Sequence, residues 1–299
     1  MTHYARGKQN REPVIIVGTG RCGSTAFHQL LSKHPKLAWL PGALCRRFPQ
    51  RPGLQNLFNR GLDFPILGRI LGEGITPGEC YPFWEYHCRG FSAPYRDLVA
   101  SDVTERMKRR VRAAMSEVTT ETRDRLLLKI TGWPRIGFLS EIFEDAKFIH
   151  VIRDGRAVAN SMVNVYFWRG WEGPQDWGWG DLSPAQKEEW ERHDQSFVVL
   201  AALQWKILMD AMESAKSALS EDNFLELKYE DLCSDPLDTL RTATEFCELE
   251  WTAELERELG KRELKNTNDR FKQDLAAKQQ RDLEEVLRDH LRRYDYPVG

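Results

Sequence analysis

The stretch Val14-Ile15-Ile16-Val17-Gly18-Thr19-Gly20-Arg21-Cys22-Gly23-Ser24-Thr25 constrains the fold most. A short β-branched run ends in a glycine-rich loop that carries one arginine and paired hydroxyls. An amphipathic segment begins at about Ala26. Strand, loop and helix N-terminus in that order make an anion-wrapping unit. Glycines let backbone N–H groups converge, and the helix dipole adds positive potential there.

Gly18 and Gly23 have the spacing of the nucleotide loop G-x-x-x-x-G-K-[ST], but Ser24 stands where the lysine belongs. That lysine normally reaches the β- and γ-phosphates, and the hydroxyl after it holds magnesium. Here Arg21 is the loop's cation. The loop therefore suits a shorter anionic group than a triphosphate; a plain glycine-rich turn is the alternative.

Residues 147–161 repeat the theme. An apolar strand, Lys147–Ile152, ends at Arg153. A turn at Asp154-Gly155 follows, then a helix with Val158, Met162 and Val165 on one face. Arg153 and Ser161 are spaced so that both can reach one anion beside that helix. The other reading of Arg153 and Asp154 is a surface turn.

Further strands are expected at Leu37–Leu40, Arg125–Ile130 and Phe224–Lys228. Helices are expected over 101–121, Ile136–Phe143, Gly155–Val165 and 279–293. One long helix is expected from Ser183-Pro184, with Gln186 completing a capping box and Phe197, Ala201, Leu208 and Met212 on its apolar face. Another starts at Asp235-Pro236 and runs through Phe246. Residues 1–12 read as a flexible N-terminus. Residues 41–96 and 166–182 read as irregular, acceptor-side segments, the latter with Trp168, Trp171, Trp177 and Trp179. Strands alternating with helices predict an α/β fold with a central, mostly parallel sheet, and 299 residues suffice for one large domain or two small ones.

Together these motifs resemble the P-loop-like sulfotransferases that use 3′-phosphoadenosine 5′-phosphosulfate (PAPS), a resemblance that implies a single domain over 1–299 with a three-layer α/β/α fold. Arg21-Cys22-Gly23-Ser24-Thr25 is similar to the family's [KR]-x-G-[ST]-[ST] loop, and Arg153 with Ser161 to its 3′-phosphate motif. Leu227-Lys228-Tyr229-Glu230-Asp231-Leu232 resembles its Tyr-Glu-Asp-[LM] segment. The wording is closest to bacterial-type members and the tyrosylprotein and carbohydrate branches. The resemblance implies that Gly20, Arg21, Cys22, Gly23, Ser24 and Thr25 bind the 5′-phosphosulfate. It places Arg153 and Ser161 at the 3′-phosphate and Tyr229 near the adenine. It also puts Lys265 and Arg270 in a basic loop that closes over the nucleotide, although the usual Arg-Lys-Gly is not spelled out.

Sulfuryl transfer needs a base for the acceptor proton and cations for the leaving phosphate, but no metal. Arg21 is the first cation candidate. Lys129 is the second, with a strand-end surface lysine as its alternative. The family's base histidine has no counterpart after Lys129, where the chain reads Ile130-Thr131-Gly132. The cluster Glu79-Cys80-Tyr81-Pro82-Phe83-Trp84-Glu85-Tyr86-His87 offers replacements: Glu79 first, Glu85 and His87 as rivals. Desolvation among such aromatics raises a carboxylate's pKa towards a base's working range. His28, on the first helix, reads as core or surface with the site as a further option.

Composition narrows the partners. The 43 basic and 45 acidic residues leave a net charge of −2, so no bulk attraction to nucleic acid is expected. No run of about twenty apolar residues suggests a membrane span. Residues 1–11 lack a signal-peptide core, so a cytoplasmic enzyme with reduced thiols is expected. Of the six cysteines, Cys80 and Cys88 are spaced to bridge in principle, and no spacing suggests zinc. Cys22 is either a thiol open to chemistry or a small side chain tolerated in a tight loop. Small-molecule, carbohydrate and lipid acceptors remain open, as does oligomeric state. The rival functions are a P-loop kinase-like phosphotransferase using ATP and magnesium, and a catalytically degenerate nucleotide-binding scaffold.

Overall fold

The computed structural model describes residues 12–92, 95–174, 180–260 and 264–299. Expectations for residues 1–11 and for Trp177 and Trp179 lie outside them. Five strands, β1 (Val14–Gly18), β2 (Leu37–Trp39), β3 (Arg125–Thr131), β4 (Lys147–Ile152) and β5 (Phe224–Lys228), form one sheet in the order β2-β3-β1-β4-β5. Every pairing in it is parallel. The apolar runs of β1 to β4 are buried, as parallel strands under crossover helices must be, while the edge strand β5 is half-buried along its length.

Alternation along β1 divides the core. Ile15 and Val17 face one helical layer and Val14 and Ile16 the other. The first layer includes α6 (Glu105–Val118) and α7 (Ile136–Ile142). The second includes α1 (Ser24–Leu31), α12 (Pro236–Phe246) and α13 (Ala253–Leu259). A third cluster unites α8 (Gly155–Met162), α10 (Phe197–Lys216) and α15 (Ala277–Arg293). The architecture is the three-layer α/β/α fold. α11 (Tyr229–Ser234) and α14 (Arg270–Asp274) lie beside the carboxyl ends of the strands.

Two expectations are corrected. Residues 41–96 are not irregular: they hold α2 (Gly42–Arg47), α3 (Pro52–Gly61), α4 (Pro65–Gly74) and α5 (Tyr81–His87). Each is too short for periodicity to register. Pro at the first or second position starts three of them, α3, α4 and α5. The long helix from Ser183 is two, α9 (Pro184–Arg192) and α10. Its capping box forms, with Ser183 N donating to Gln186 Oε1 at 2.8 Å. The break comes where Asp194 and Gln195 adopt positive φ. There Trp190, 8% exposed, donates its indole N–H to the Ser196 carbonyl at 3.0 Å.

The cysteine expectation is corrected as well. Cys80 bridges Cys45, with Cα atoms 5.7 Å apart, while Cys22, Cys88, Cys233 and Cys247 are free thiols. The fold brings α2 against α5, a neighbour that spacing along the chain does not reveal. Cys22 is fully buried, its Sγ against Gly18, which favours the small-side-chain reading.

Candidate functional site

β1 and β4 are neighbours, so the loops leaving their carboxyl ends lie side by side. The β1 loop turns on left-handed residues: Gly20 (φ 78°), Arg21 (φ 55°) and Gly23 (φ 88°). Gly23 is doubly constrained, because a Cβ there would sit 2.2 Å from Cδ2 of Tyr229. No side-chain oxygen caps α1 at Gly23, which leaves the helix's first-turn N–H groups, those of Ser24 and Thr25 included, for a ligand.

Arg153 follows β4 and joins the two motifs. Its guanidinium donates to the Arg21 carbonyl at 2.9 Å, to Asn268 Oδ1 at 2.8 Å and to Thr267 Oγ1 at 3.0 Å. It also lies 4.4 Å above the Tyr229 ring. Arg21 Nε donates to Ser161 Oγ at 2.9 Å. Arg21, Arg153, Ser161 and Tyr229 thus form one cluster from three separate stretches of chain. The surface-turn reading of Arg153 and Asp154 does not hold: Asp154 pairs with Arg156 at 2.8 Å and caps α8.

Charge balance separates these arginines. Arg156 is neutralised by Asp154 and by Glu284 at 3.1 Å. Burial acts to lower its pKa, but the two carboxylates outweigh it and raise it. Among the described residues, Arg21 and Arg153 have no carboxylate within ion-pair distance. Arg153 is only 7% exposed and is surrounded by neutral oxygens and an aromatic face. A cation buried without a counter-ion is costly, and an anionic ligand offsets that cost. The adjoining cavity, about 830 Å³, is lined by Arg21, Arg153, Asn160, Ser161, Thr267 and Arg270 among others. Arg270 lies at its exposed rim, 3.7 Å from Asp274. Lys265 contributes its carbonyl, which accepts from the Tyr229 hydroxyl at 3.1 Å, while its side chain is exposed. Burial raises the Tyr229 pKa, keeping that hydroxyl a donor.

A second group adjoins the loop. Lys129, 6% exposed, donates to Thr25 Oγ1 at 2.8 Å and lies 3.0 Å from Glu79 Oε1. Thr131 Oγ1 donates to the same carboxylate oxygen at 2.8 Å. The Tyr81 hydroxyl donates to the Thr131 carbonyl at 2.8 Å. The chain Glu79–Lys129–Thr25 therefore links the favoured base candidate to the anion loop. His28 is 1% exposed, and both its ring nitrogens lack a hydrogen-bond partner among the described residues. Burial, reinforced by the Lys129 charge, holds its pKa well below the usual histidine value.

Glu85 and His87 do not join this group. Glu85 accepts from the backbone N–H groups of Gly90 and Ser92 at 2.7 and 2.9 Å, closing the turn after α5. Desolvation acts to raise its pKa, but those N–H groups outweigh it and lower it, the opposite of the expected shift. His87 Nε2 faces the Pro49 carbonyl at 3.2 Å, and its ring packs on Phe83. Thr267 and Asn268 were missed. They lie in the 265–272 loop, where the resemblance points only to the basic side chains, and their signal is a run of short polar residues beside those cations.

The chain is similar to known proteins over most of its length. The model of the sulfotransferase family matches residues 13–253. Proteins named omega-hydroxy-beta-dihydromenaquinone-9 sulfotransferase Stf3, from Mycobacterium bovis and Mycobacterium tuberculosis, are 24% identical over 252 residues. That alignment covers 77% of this chain and 61% of theirs. Sulfotransferase STF9 from Mycobacterium avium superposes with a TM-score of 0.58 at 18% identity, covering 97% of this chain and 78% of its own. The sulfotransferase domain of the Synechococcus PCC 7002 olefin synthase gives 0.52 at 15% identity over the full length of both chains. The structural likenesses bear on the fold alone.

Proposed function

Because the chain belongs to the sulfotransferase family, we propose that it moves a sulfuryl group from PAPS to an acceptor hydroxyl, less readily to an amine, and that residues 1–299 act in this as one domain. One observation carries the reading: Arg153 and Arg21, cations with no carboxylate partner among the described residues, are joined through the Arg21 carbonyl into a single anion site. PAPS has a charged group at each end of its ribose, and two such cations suit it. Gly23 supports the fit, because the loop backbone approaches Tyr229 where any side chain would intrude.

PAPS supplies the transferable sulfuryl group and the phosphate that leaves. The protein's part is positional and electrostatic. Arg153 and Ser161 grip the 3′-phosphate, with Thr267 and Asn268 orienting the guanidinium. Tyr229 offers a face beside the nucleoside. Arg21, the N–H groups of Gly23, Ser24 and Thr25, and Lys129 stand where the leaving phosphate gains negative charge, so they stabilise the transition state more than the ground state. Glu79 takes the acceptor proton as the oxygen forms its bond to sulfur. Thr131 and Lys129 fix the carboxylate's orientation. Among the described residues no group of His, Cys, Asp and Glu has the arrangement of a metal site.

The acceptor is proposed as a small molecule, carbohydrate or lipid bearing a hydroxyl. A hydroxylated lipid is the first to test, since the curated relatives are named for one. No described helix is long and apolar enough to cross a membrane. We place the enzyme in the cytoplasm; the Cys45–Cys80 bridge would there face a reducing pool, and a thiol count on protein quenched at lysis tests that placement. Transfer from ³⁵S-labelled PAPS to an acceptor panel, with and without EDTA, tests the reaction. Transfer that survives the chelator is expected. Phosphoryl transfer from ATP that the chelator abolishes would overturn the assignment.

A further inference from the structure

The hairpin of α3 and α4 bears an apolar face that no described residue covers. α4 has no buried residue. Leu57 is 67% exposed, Phe64 62%, Ile66 80% and Ile70 63%. The opposite side of α4 is packed closely: a Cβ on Gly68 would lie 2.2 Å from the Leu62 carbonyl oxygen, and one on Gly61 2.7 Å from Leu71 Cδ1. Small residues thus let α4 lie against α3, while Ile66 and Ile70, one turn apart, point away. Large apolar side chains exposed together on one short hairpin mark an interaction surface.

Charge decides what the surface meets. Residues 46–69 hold five arginines, Arg46, Arg47, Arg51, Arg60 and Arg69, all exposed. The α3–α4 hairpin carries two acidic residues with them: Asp63 is occupied by Arg123 at 3.0 Å, and Glu73 pairs with Arg69 at 3.2 Å, so the arginines still outnumber the carboxylates. This cationic segment belongs to a chain whose net charge is −2. We propose that the α3–α4 face rests on an anionic bilayer, with Phe64, Ile66 and Ile70 in the boundary between headgroups and acyl chains and the arginines on the headgroup phosphates. A second copy of the chain fits less well, because a two-fold contact would press the same arginines together. The same segment continues from Gly74 into the Pro41–Pro77 bridge and Glu79, so the surface and the candidate base share one stretch of chain.

Vesicle binding needs neither donor nor acceptor, so its failure would leave the sulfuryl-transfer reading standing. The full chain is sedimented with vesicles of equal phosphatidylglycerol and phosphatidylcholine, and with phosphatidylcholine alone. Binding to the anionic vesicles, weakened by salt, is expected. Arg60→Gln with Arg69→Gln should weaken it about thirtyfold, on the order of fivefold per arginine. Ile66→Ser with Ile70→Ser should weaken it at least about tenfold without moving the melting temperature, since neither side chain is buried. Absent or equal binding to both vesicles, or variants that bind as the wild type does, would overturn the proposal. So would a dimer in sedimentation equilibrium that Ile66→Ser with Ile70→Ser dissolves, which would assign the face to a second copy.

Discussion

Arg153→Ala is the most exacting test of the donor site. In the structure the guanidinium is held by three oxygens at 2.8–3.0 Å and stacked on Tyr229. A 3′-phosphate meeting it gains two charge-assisted hydrogen bonds, each worth about 1.5–3 kcal/mol net. Arg21 and Ser161 stay behind in the variant, so the loss is set near the lower bound, about 3 kcal/mol, or roughly 150-fold in affinity. That loss applies only to ligands carrying the 3′-phosphate. The measurement is calorimetry with adenosine 3′,5′-bisphosphate against adenosine 5′-monophosphate. The wild type should prefer the bisphosphate strongly, and the variant should lose roughly two orders of magnitude of that preference. Arg153→Lys keeps the charge but not the fork, so it should recover only part of it. Folding is not the obstacle: the variant loses hydrogen bonds to neutral oxygens but also sheds a buried, unpaired cation, two effects of opposite sign. An unchanged ratio of the two affinities would show that the second motif does not hold the 3′-phosphate.

Glu79→Gln should lower kcat by about 10²–10⁴ with little change in PAPS affinity, and should remove the limb of the pH–rate profile that reports the base; an intact limb would move the base elsewhere. Gly23→Ala should abolish donor binding, because the residue has φ 88° and its Cβ would strike Tyr229; Tyr229→Ala added to it relieves the collision but not the backbone strain, so only partial recovery in calorimetry is expected. Thiol titration of the denatured, unreduced protein should find four of the six cysteines, and Cys45→Ser should cost about 3–4 kcal/mol in urea unfolding, from a bridge spanning 35 residues. Acid unfolding should respond to Glu226. Desolvation acts to raise its pKa, but His150 and Lys216 outweigh it and hold the value at about 2, against an ordinary 4.5. Its stabilisation is therefore present above pH 4.5 and lost as the pH falls towards 2, and Glu226→Gln should flatten that part of the stability curve.

Legibility tracked segment length and chemistry. The strand Lys147–Ile152 and its helix could be read because an unbroken apolar run gives way to a helical period. The helices α2 to α5 could not, because pieces of six to ten residues start and stop on Pro and Gly before a period accumulates. Glu79 and Glu85 looked alike in one aromatic cluster. The start of α5 separates them, turning one carboxylate to Lys129 and the other to the N–H groups of the following turn.

Local patterns alone determined that this chain builds a parallel α/β sheet and an anion loop with a second arginine downstream. Backbone sterics and hydrophobic period act within a dozen residues, where they can be read directly. Tertiary structure alone decided which partners complete the site. Asn268 reaches Arg153 across 115 residues, and Thr267 across 114. Lys129 meets Thr25 across 104. Such pairings depend on strand order and on how helices pack over the sheet, and those are properties of the whole folded chain rather than of any one segment.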